Sequence, residues 1–180
     1  MLVIRADLVE AIVDHARRDH PDEACGVIAG PEGSDRPERY IPMANAERSP
    51  TFYRFDSGEQ LKVWRSMEGA DEVPVVIYHS HTATEAYPSR TDVNLAAEPD
   101  AHYVLVSTRD PNRHELRSYR IVHGAVSEEP VNIVEQYPPG DDAGRAAACG
   151  GARQSNPPGD DAGRAAACGG ARQSNEERPA

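Results

Sequence analysis

This chain predicts a domain of the α/β (α+β) class, a mixed β-sheet flanked by helices. Apolar runs of strand length recur along it, at Cys25 to Ala29, Val73 to Tyr78 and His102 to Ser107. Two other stretches carry apolar residues at helical spacing, one after Asp7 and one after Ser57. Strands and helices mix without a strict βαβ alternation, which points to strands of both directions in one sheet.

Val3-Ile4 opens a short strand. Asp7 then stands where a helix cap is expected, with Glu10 at the capping-box position. Leu8, Ile12, Val13 and Ala16 form the buried stripe of that helix, Pro21 marks its end, and His15 and His20 read as exposed. Cys25 to Ala29 is a buried strand closed by Gly30-Pro31. Tyr40 to Ala44 and the alternating Thr51 to Phe55 read as further strands. Ser57 caps a second helix whose core residues are Leu61, Val63, Trp64 and Met67. A strand at about 74 to 80, a short helix from Ser89 ending before Pro99, and the strand His102 to Ser107 follow. Leu116 to Val122 and Ala125 to Val134 form a hairpin turning at His123-Gly124.

Composition breaks at Tyr137. From Pro138 onward no Leu, Ile, Val, Met, Phe, Tyr or Trp occurs, and the nineteen residues 138 to 156 recur unchanged at 157 to 175. Such a unit offers only Ala and one Cys for burial, too little to offset its ordering entropy. The expectation is a folded domain over residues 1–137 and a disordered tail over 138–180.

Net charge is -11, from 19 Lys and Arg against 30 Asp and Glu. This balance argues against nucleic acid and anionic membrane as partners, since phosphate binding needs a basic surface. The first residues carry Arg5, Asp7, Glu10 and Asp14 where a signal peptide would be apolar. Three scattered cysteines do not make a disulfide framework. A cytoplasmic protein is expected. Cys25 reads as a small buried hydrophobe rather than a nucleophile, because no cationic neighbour is apparent to lower its pKa.

The chemistry concentrates in one stretch. His79-Ser80-His81 closes the apolar strand, and Ser89-Arg90-Thr91-Asp92 follows after the seven residues Thr82 to Pro88. Alternation puts His79 and His81 on one face, with Val75 and Ile77 preceding them there. An imidazole pair at i and i+2 can hold a divalent metal, and Asp92 would complete a three-ligand set with a position open for water. The bland alternatives are structural histidines and a helix-capping Ser-x-x-Asp. Glu23 stands at the mouth of the Cys25 strand, where it would face the metal if the two strands are neighbours, and Asp22 competes for that role. Ser80 points to the opposite face, which suits orienting a neighbour.

Together these residues resemble the JAMM (MPN+) metalloprotease family, whose pattern is an upstream Glu, then His-Ser/Thr-His, seven residues and Ser-x-x-Asp. Every position is met, over a resemblance that covers about residues 2 to 137. It implies a curved mixed sheet related to cytidine deaminase. It implies one Zn²⁺ held by His79, His81 and Asp92, Glu23 as the proton carrier and Ser89 as donor to the oxyanion. Pro21 to Gly26 resembles the family's first-strand entry, which favours Glu23 over Asp22. Within the family the chain is similar to a short prokaryotic type acting in cysteine biosynthesis. That type hydrolyses a cysteine adduct from the C-terminal glycine of a small ubiquitin-like sulfur-carrier protein. The 46 to 56 loop and the Thr82 to Pro88 segment would then flank a groove for the substrate's slim tail. Two other classes compete: a non-catalytic scaffold on the same fold, and a zinc hydrolase of small peptides or amides. A (β/α)₈ barrel is excluded, since it typically needs ~250 residues.

Overall fold

The computed structural model describes residues 1–138. The repeated segment beyond them, for which disorder is expected, lies outside the described residues. The elements in chain order are β1 (Leu2–Arg5), α1 (Ala6–Asp19), β2 (Cys25–Pro31), β3 (Arg39–Met43), α2 (Ser57–Glu68), β4 (Glu72–His81), α3 (Arg90–Leu95), β5 (His102–Asp110), β6 (Arg113–Val122), β7 (Ala125–Glu129) and β8 (Val131–Val134). Six strands form one sheet in the order β3-β2-β4-β5-β6-β7, and β1 pairs with β8 in a separate two-stranded sheet. Within the large sheet β4 and β5 run parallel and every other pair is antiparallel. The mixed sheet expected from the sequence is therefore present.

The parallel pair positions the site. Parallel neighbours cannot be joined by a tight turn, so the chain must leave the end of β4, cross over and return. That crossover carries α3 and begins immediately after His81. Side chains early in it are delivered to the C-terminal end of β4.

Helices cover both faces. On one face α1 packs Leu8, Ile12, Val13 and Ala16 against Ile28, Val76, Tyr78 and Val104. Each such fully buried aliphatic side chain stabilises the fold by roughly 1.5–3 kcal/mol. On the other face Ile77, Tyr103, Leu105 and Tyr119 pack with Val93 of α3. Beside them Val27, Ala29 and Met43 pack with Met67 and Trp64 of α2. Strand β4 thus sends Val76 and Tyr78 toward α1, and Ile77 to the opposite face. Val75 does not share the face of Ile77 as simple alternation predicts. The β2–β4 register slips between Ile28 and Ala29, so Val75 joins Val76 in the α1 core.

Several local expectations are corrected. Asp7 does not cap α1, because β1 runs straight into the helix and Arg5 occupies the cap position. Asp7 lies inside the first turn, where it takes a hydrogen bond from Arg5 Nε at 2.9 Å. The cap of α2 is Asp56, whose Oδ1 accepts from Glu59 N at 2.9 Å, one residue before the expected Ser57. Leu61 is 53% exposed and belongs to no core. Residues 51 to 55 form no strand and contribute only the bridge between Asn45 and Phe55. The expected strand Ala125 to Val134 is split at Pro130, which has no N–H for the ladder. β7 stays with β6, and β8 crosses to β1. His15 is buried rather than exposed, with Nδ1 2.7 Å from the Tyr78 hydroxyl. Gly26 is required where it stands, since a Cβ there would meet the Tyr78 hydroxyl at 2.5 Å and the Ile41 carbonyl at 2.6 Å.

Candidate metal centre

His79 and His81 end β4 on its α2/α3 face, and both are buried. Their Nε2 atoms lie 3.2 Å apart. Asp92, in the first turn of α3, brings Oδ2 to 3.4 Å from His79 Nε2 and 3.5 Å from His81 Nε2. These three are the residues whose ligand atoms all lie within 4.8 Å of one another among the described residues. A tetrahedral Zn²⁺ with bonds near 2.0–2.1 Å separates its donors by roughly 3.3–3.4 Å. The donor triangle fits that figure. Its chemistry fits too, because two imidazole nitrogens facing each other beside a carboxylate oxygen repel unless a proton or a cation lies among them.

Each donor is held from behind. His81 Nδ1 is 2.8 Å from the Glu85 carbonyl oxygen, which only accepts, so Nδ1 carries the proton and Nε2 presents its lone pair. His79 stacks on Tyr53, with centroids 4.4 Å apart and 24° between the ring planes. Its Nδ1 is buried without a hydrogen-bond partner. Asp92 belongs to a full capping box. Its Oδ2 accepts from Ser89 N at 2.7 Å, and Ser89 Oγ accepts from Asp92 N at 3.2 Å. The capping reading of Ser-x-x-Asp is present, and the same geometry is compatible with the metal reading.

Electrostatics follow from burial and proximity. Burial pulls the pKa of His79 down, and Asp92 opposes it only in part. Burial works the same way on His81, yet hydrogen bonds from its ring toward Asp92 and the Glu85 carbonyl carry it upward. Burial pushes the Asp92 carboxyl up, but its hydrogen bonds to His79 and His81 outweigh that and hold it well below the usual carboxylate range.

Glu23 lies just before β2, which pairs antiparallel with β4 so that Cys25 stands opposite His79. Alternation returns Glu23 to the face of Cys25. The residue is 5% exposed. Burial pushes its carboxyl up to about 7; the charge of His81 lowers it and that of Asp92 raises it. Its backbone is pinned on both sides, N–H to the Ser49 carbonyl at 2.9 Å and C=O from Asn45 Nδ2 at 3.0 Å. Asp22 is only half-buried, and its N–H donates to the Asp19 carbonyl at 2.9 Å. Ser80 faces away from the triangle, as expected, and its Oγ accepts from Ala24 N at 2.9 Å. Cys25 is buried, which pushes its thiol up to about 12 and rules out a thiolate nucleophile near neutral pH. Ser89 is brought to Asp92, and its hydroxyl proton is left to donate outward.

Sequence reasoning missed two residues of this site. Tyr53 falls in a segment that alternates like a strand, and its stacking on His79 has no local signature. Asn45 stands in a loop with no motif to mark it. Its Nδ2 donates to the carbonyls of Glu23 and Phe52, both at 3.0 Å, while its Oδ1 accepts from Glu47 N at 3.0 Å and Arg54 N at 3.3 Å. All four hydrogen-bonding valences of the amide are used to tie the 46 to 56 loop to Glu23. The same loop meets the segment after His81, where Thr82 Oγ1 donates to the Pro50 carbonyl at 2.9 Å.

No helix among the described residues is long and apolar enough to cross a membrane. Comparison with known proteins agrees with the geometry. The CysO-cysteine peptidase of Mycobacterium tuberculosis is 88% identical over 137 residues, which is 76% of this chain and 94% of that protein. The desampylase of Haloferax volcanii is 32% identical over 111 residues, covering 59% of this chain and 80% of the relative. A solution structure from Desulfitobacterium hafniense superposes with a TM-score of 0.67 at 33% identity, over 76% of this chain and 94% of its own. The model of prokaryotic homologs of the JAB domain matches residues 5–122. With more than half of its length matched and the sheet, histidine pair and crossover aspartate in place, this chain belongs to the prokaryotic JAB-domain family.

Proposed function

We propose that this protein is a zinc-dependent peptidase of the cytoplasm that releases cysteine from the C-terminal glycine of a small ubiquitin-like sulfur-carrier protein. The observation that carries the reading is the donor triangle of His79, His81 and Asp92 with buried Glu23 beside it. High identity over nearly the whole of a CysO-cysteine peptidase supports the substrate. The intact triangle favours an enzyme over a scaffold of the same fold.

Zn²⁺ held by these three side chains would polarise the scissile carbonyl and lower the pKa of water at the open position. Glu23 takes the proton of the attacking water and returns it to the leaving amine. A buried carboxyl at this place has both an ionised and a protonated form to use, and burial raises it toward neutrality in the metal-free protein. Ser89, its Oγ already accepting from Asp92 N, donates its own proton to the carbonyl oxygen as charge develops there. Tyr53 and the Glu85 carbonyl keep the two imidazoles oriented throughout.

The test is mass spectrometry of a carrier–cysteine adduct incubated with purified protein, alongside metal analysis. The expected result is loss of one cysteine from the adduct, abolished by a chelator and restored by zinc. Asp92→Asn should lose both zinc and turnover. An unchanged adduct mass with zinc bound would overturn the substrate, and a protein that neither binds zinc nor hydrolyses would be a scaffold.

A further inference from the structure

A residue released from the C-terminal glycine as a free amino acid carries an α-carboxylate two bonds from the scissile nitrogen. The walls it would meet are acidic. Glu23 and Asp92 line the site, and the chain as a whole carries a net charge of -11. A substrate carboxylate held there needs a cation.

Most arginines of the described residues are already engaged. The cations that form no hydrogen bond or ion pair through their side chains are Arg17, Arg48, Lys62, Arg65, Arg90 and Arg113. Arg17 lies on α1, on the opposite face of the sheet, and Arg113 opens β6 beyond the hairpin turn. Lys62 and Arg65 lie along α2, past the first turn by which Glu59 reaches Ala44 N. Arg90 is two residues from Asp92 on α3, about 200° around the helix, so when Asp92 faces the imidazoles Arg90 faces away. Arg48 remains.

Three observations place Arg48 at the site. The next residue, Ser49, accepts the Glu23 N–H through its carbonyl. Arg48 sits in the loop whose Tyr53 stacks on His79 and which Asn45 clamps through four hydrogen bonds. Its backbone is left-handed, with φ 45°, a conformation that costs a non-glycine residue and persists where the surroundings impose it. An arginine with a left-handed backbone and an exposed guanidinium that makes no ion pair therefore stands one residue from the backbone partner of Glu23.

We propose that Arg48 binds the free α-carboxylate of the departing residue and so makes the enzyme selective for adducts that end in a single amino acid. The inference rests on the peptidase reading above. A guanidinium presents two parallel N–H groups to a carboxylate, a match that an amide or a continuing peptide chain cannot make.

The test compares two carrier adducts, one ending in cysteine and one in cysteinamide, on wild type, Arg48→Gly and Arg48→Lys. Glycine at this position keeps the left-handed backbone without strain and removes only the cation. Wild type should prefer the acid by about tenfold or more in kcat/KM. Arg48→Gly should lose that preference, with similar rates on both adducts, and Arg48→Lys should restore part of it. The acid-to-amide ratio is insensitive to any general loss of fold, which would slow both substrates alike. A wild type with no preference, or a preference unchanged in Arg48→Gly, would overturn the assignment while cysteine release itself stands. Absence of release from either adduct would sink the peptidase reading, and this inference with it.

Discussion

Ser80 Oγ accepts a hydrogen bond from Ala24 N at 2.9 Å, and the Ser80 N–H returns one to the Ala24 carbonyl at 2.9 Å. The residue between the two imidazoles thus fixes the residue next to Glu23. His79 and His81 end β4 while Glu23 precedes β2, and this exchange ties the two segments together.

Ser80→Ala removes the acceptor of a buried backbone donor. The expected cost is about 1–3 kcal/mol of stability, measured by urea unfolding. Because the imidazoles are untouched, zinc should remain bound while kcat falls. Loss of zinc at unchanged stability would contradict the division of roles.

Glu23 makes the metal-free protein sensitive to pH. Below about pH 4.5 its carboxyl is protonated in both the folded and the unfolded chain. Above about 7 both are ionised, and the folded state carries a buried charge. Stability therefore falls as pH rises through this window, by up to roughly 3 kcal/mol. Glu23→Gln has no proton to lose. Unfolding of chelated protein at pH 5 and pH 8 should show a larger drop in wild type than in the variant, where only the histidines titrate. Added zinc should shrink the difference, and identical pH profiles would reject it.

Asn45 acts on Glu23 through its carbonyl and through the loop. Asn45→Ala should cost about 2 kcal/mol and slow turnover at least tenfold with zinc retained. Asn45→Asp cannot donate to the Glu23 and Phe52 carbonyls and adds a negative charge nearby. Its acidic limb in a plot of log kcat/KM against pH should move upward. A merely structural role would lower the plateau and leave that limb in place.

Much of this site was legible in the chain because its ligands are local. His79, Ser80 and His81 share one strand, and Ser89 and Asp92 share one helical turn whose capping pattern is written in four residues. The strands of the sheet were legible where apolar runs are unbroken, as in β2 and β5. What escaped depends on partners distant in sequence. Tyr53 reaches His79 across the fold, Asn45 reaches Glu23, and His15 on the buried stripe of α1 finds the Tyr78 hydroxyl. The cap of α1 shifted by two residues for a simpler reason. A strand that enters a helix without a linker leaves no room for the expected cap, as at Arg5. Pro130 was visible as a residue, but the split it imposes has meaning only once β1 offers β8 a second place to pair.

That second pairing joins the first strand to the last described one, with Leu2 opposite Val131 and Leu2 N donating to the Pro130 carbonyl at 3.0 Å. Almost the entire domain must leave the ribosome before this contact can close. Leu2 and Ile4 wait unpaired until residues 131–134 are available, and closing so long a loop is an entropic step that slows folding. A chain lacking residues 131–134 would leave this strand edge unpaired, although every strand of the six-stranded sheet is present.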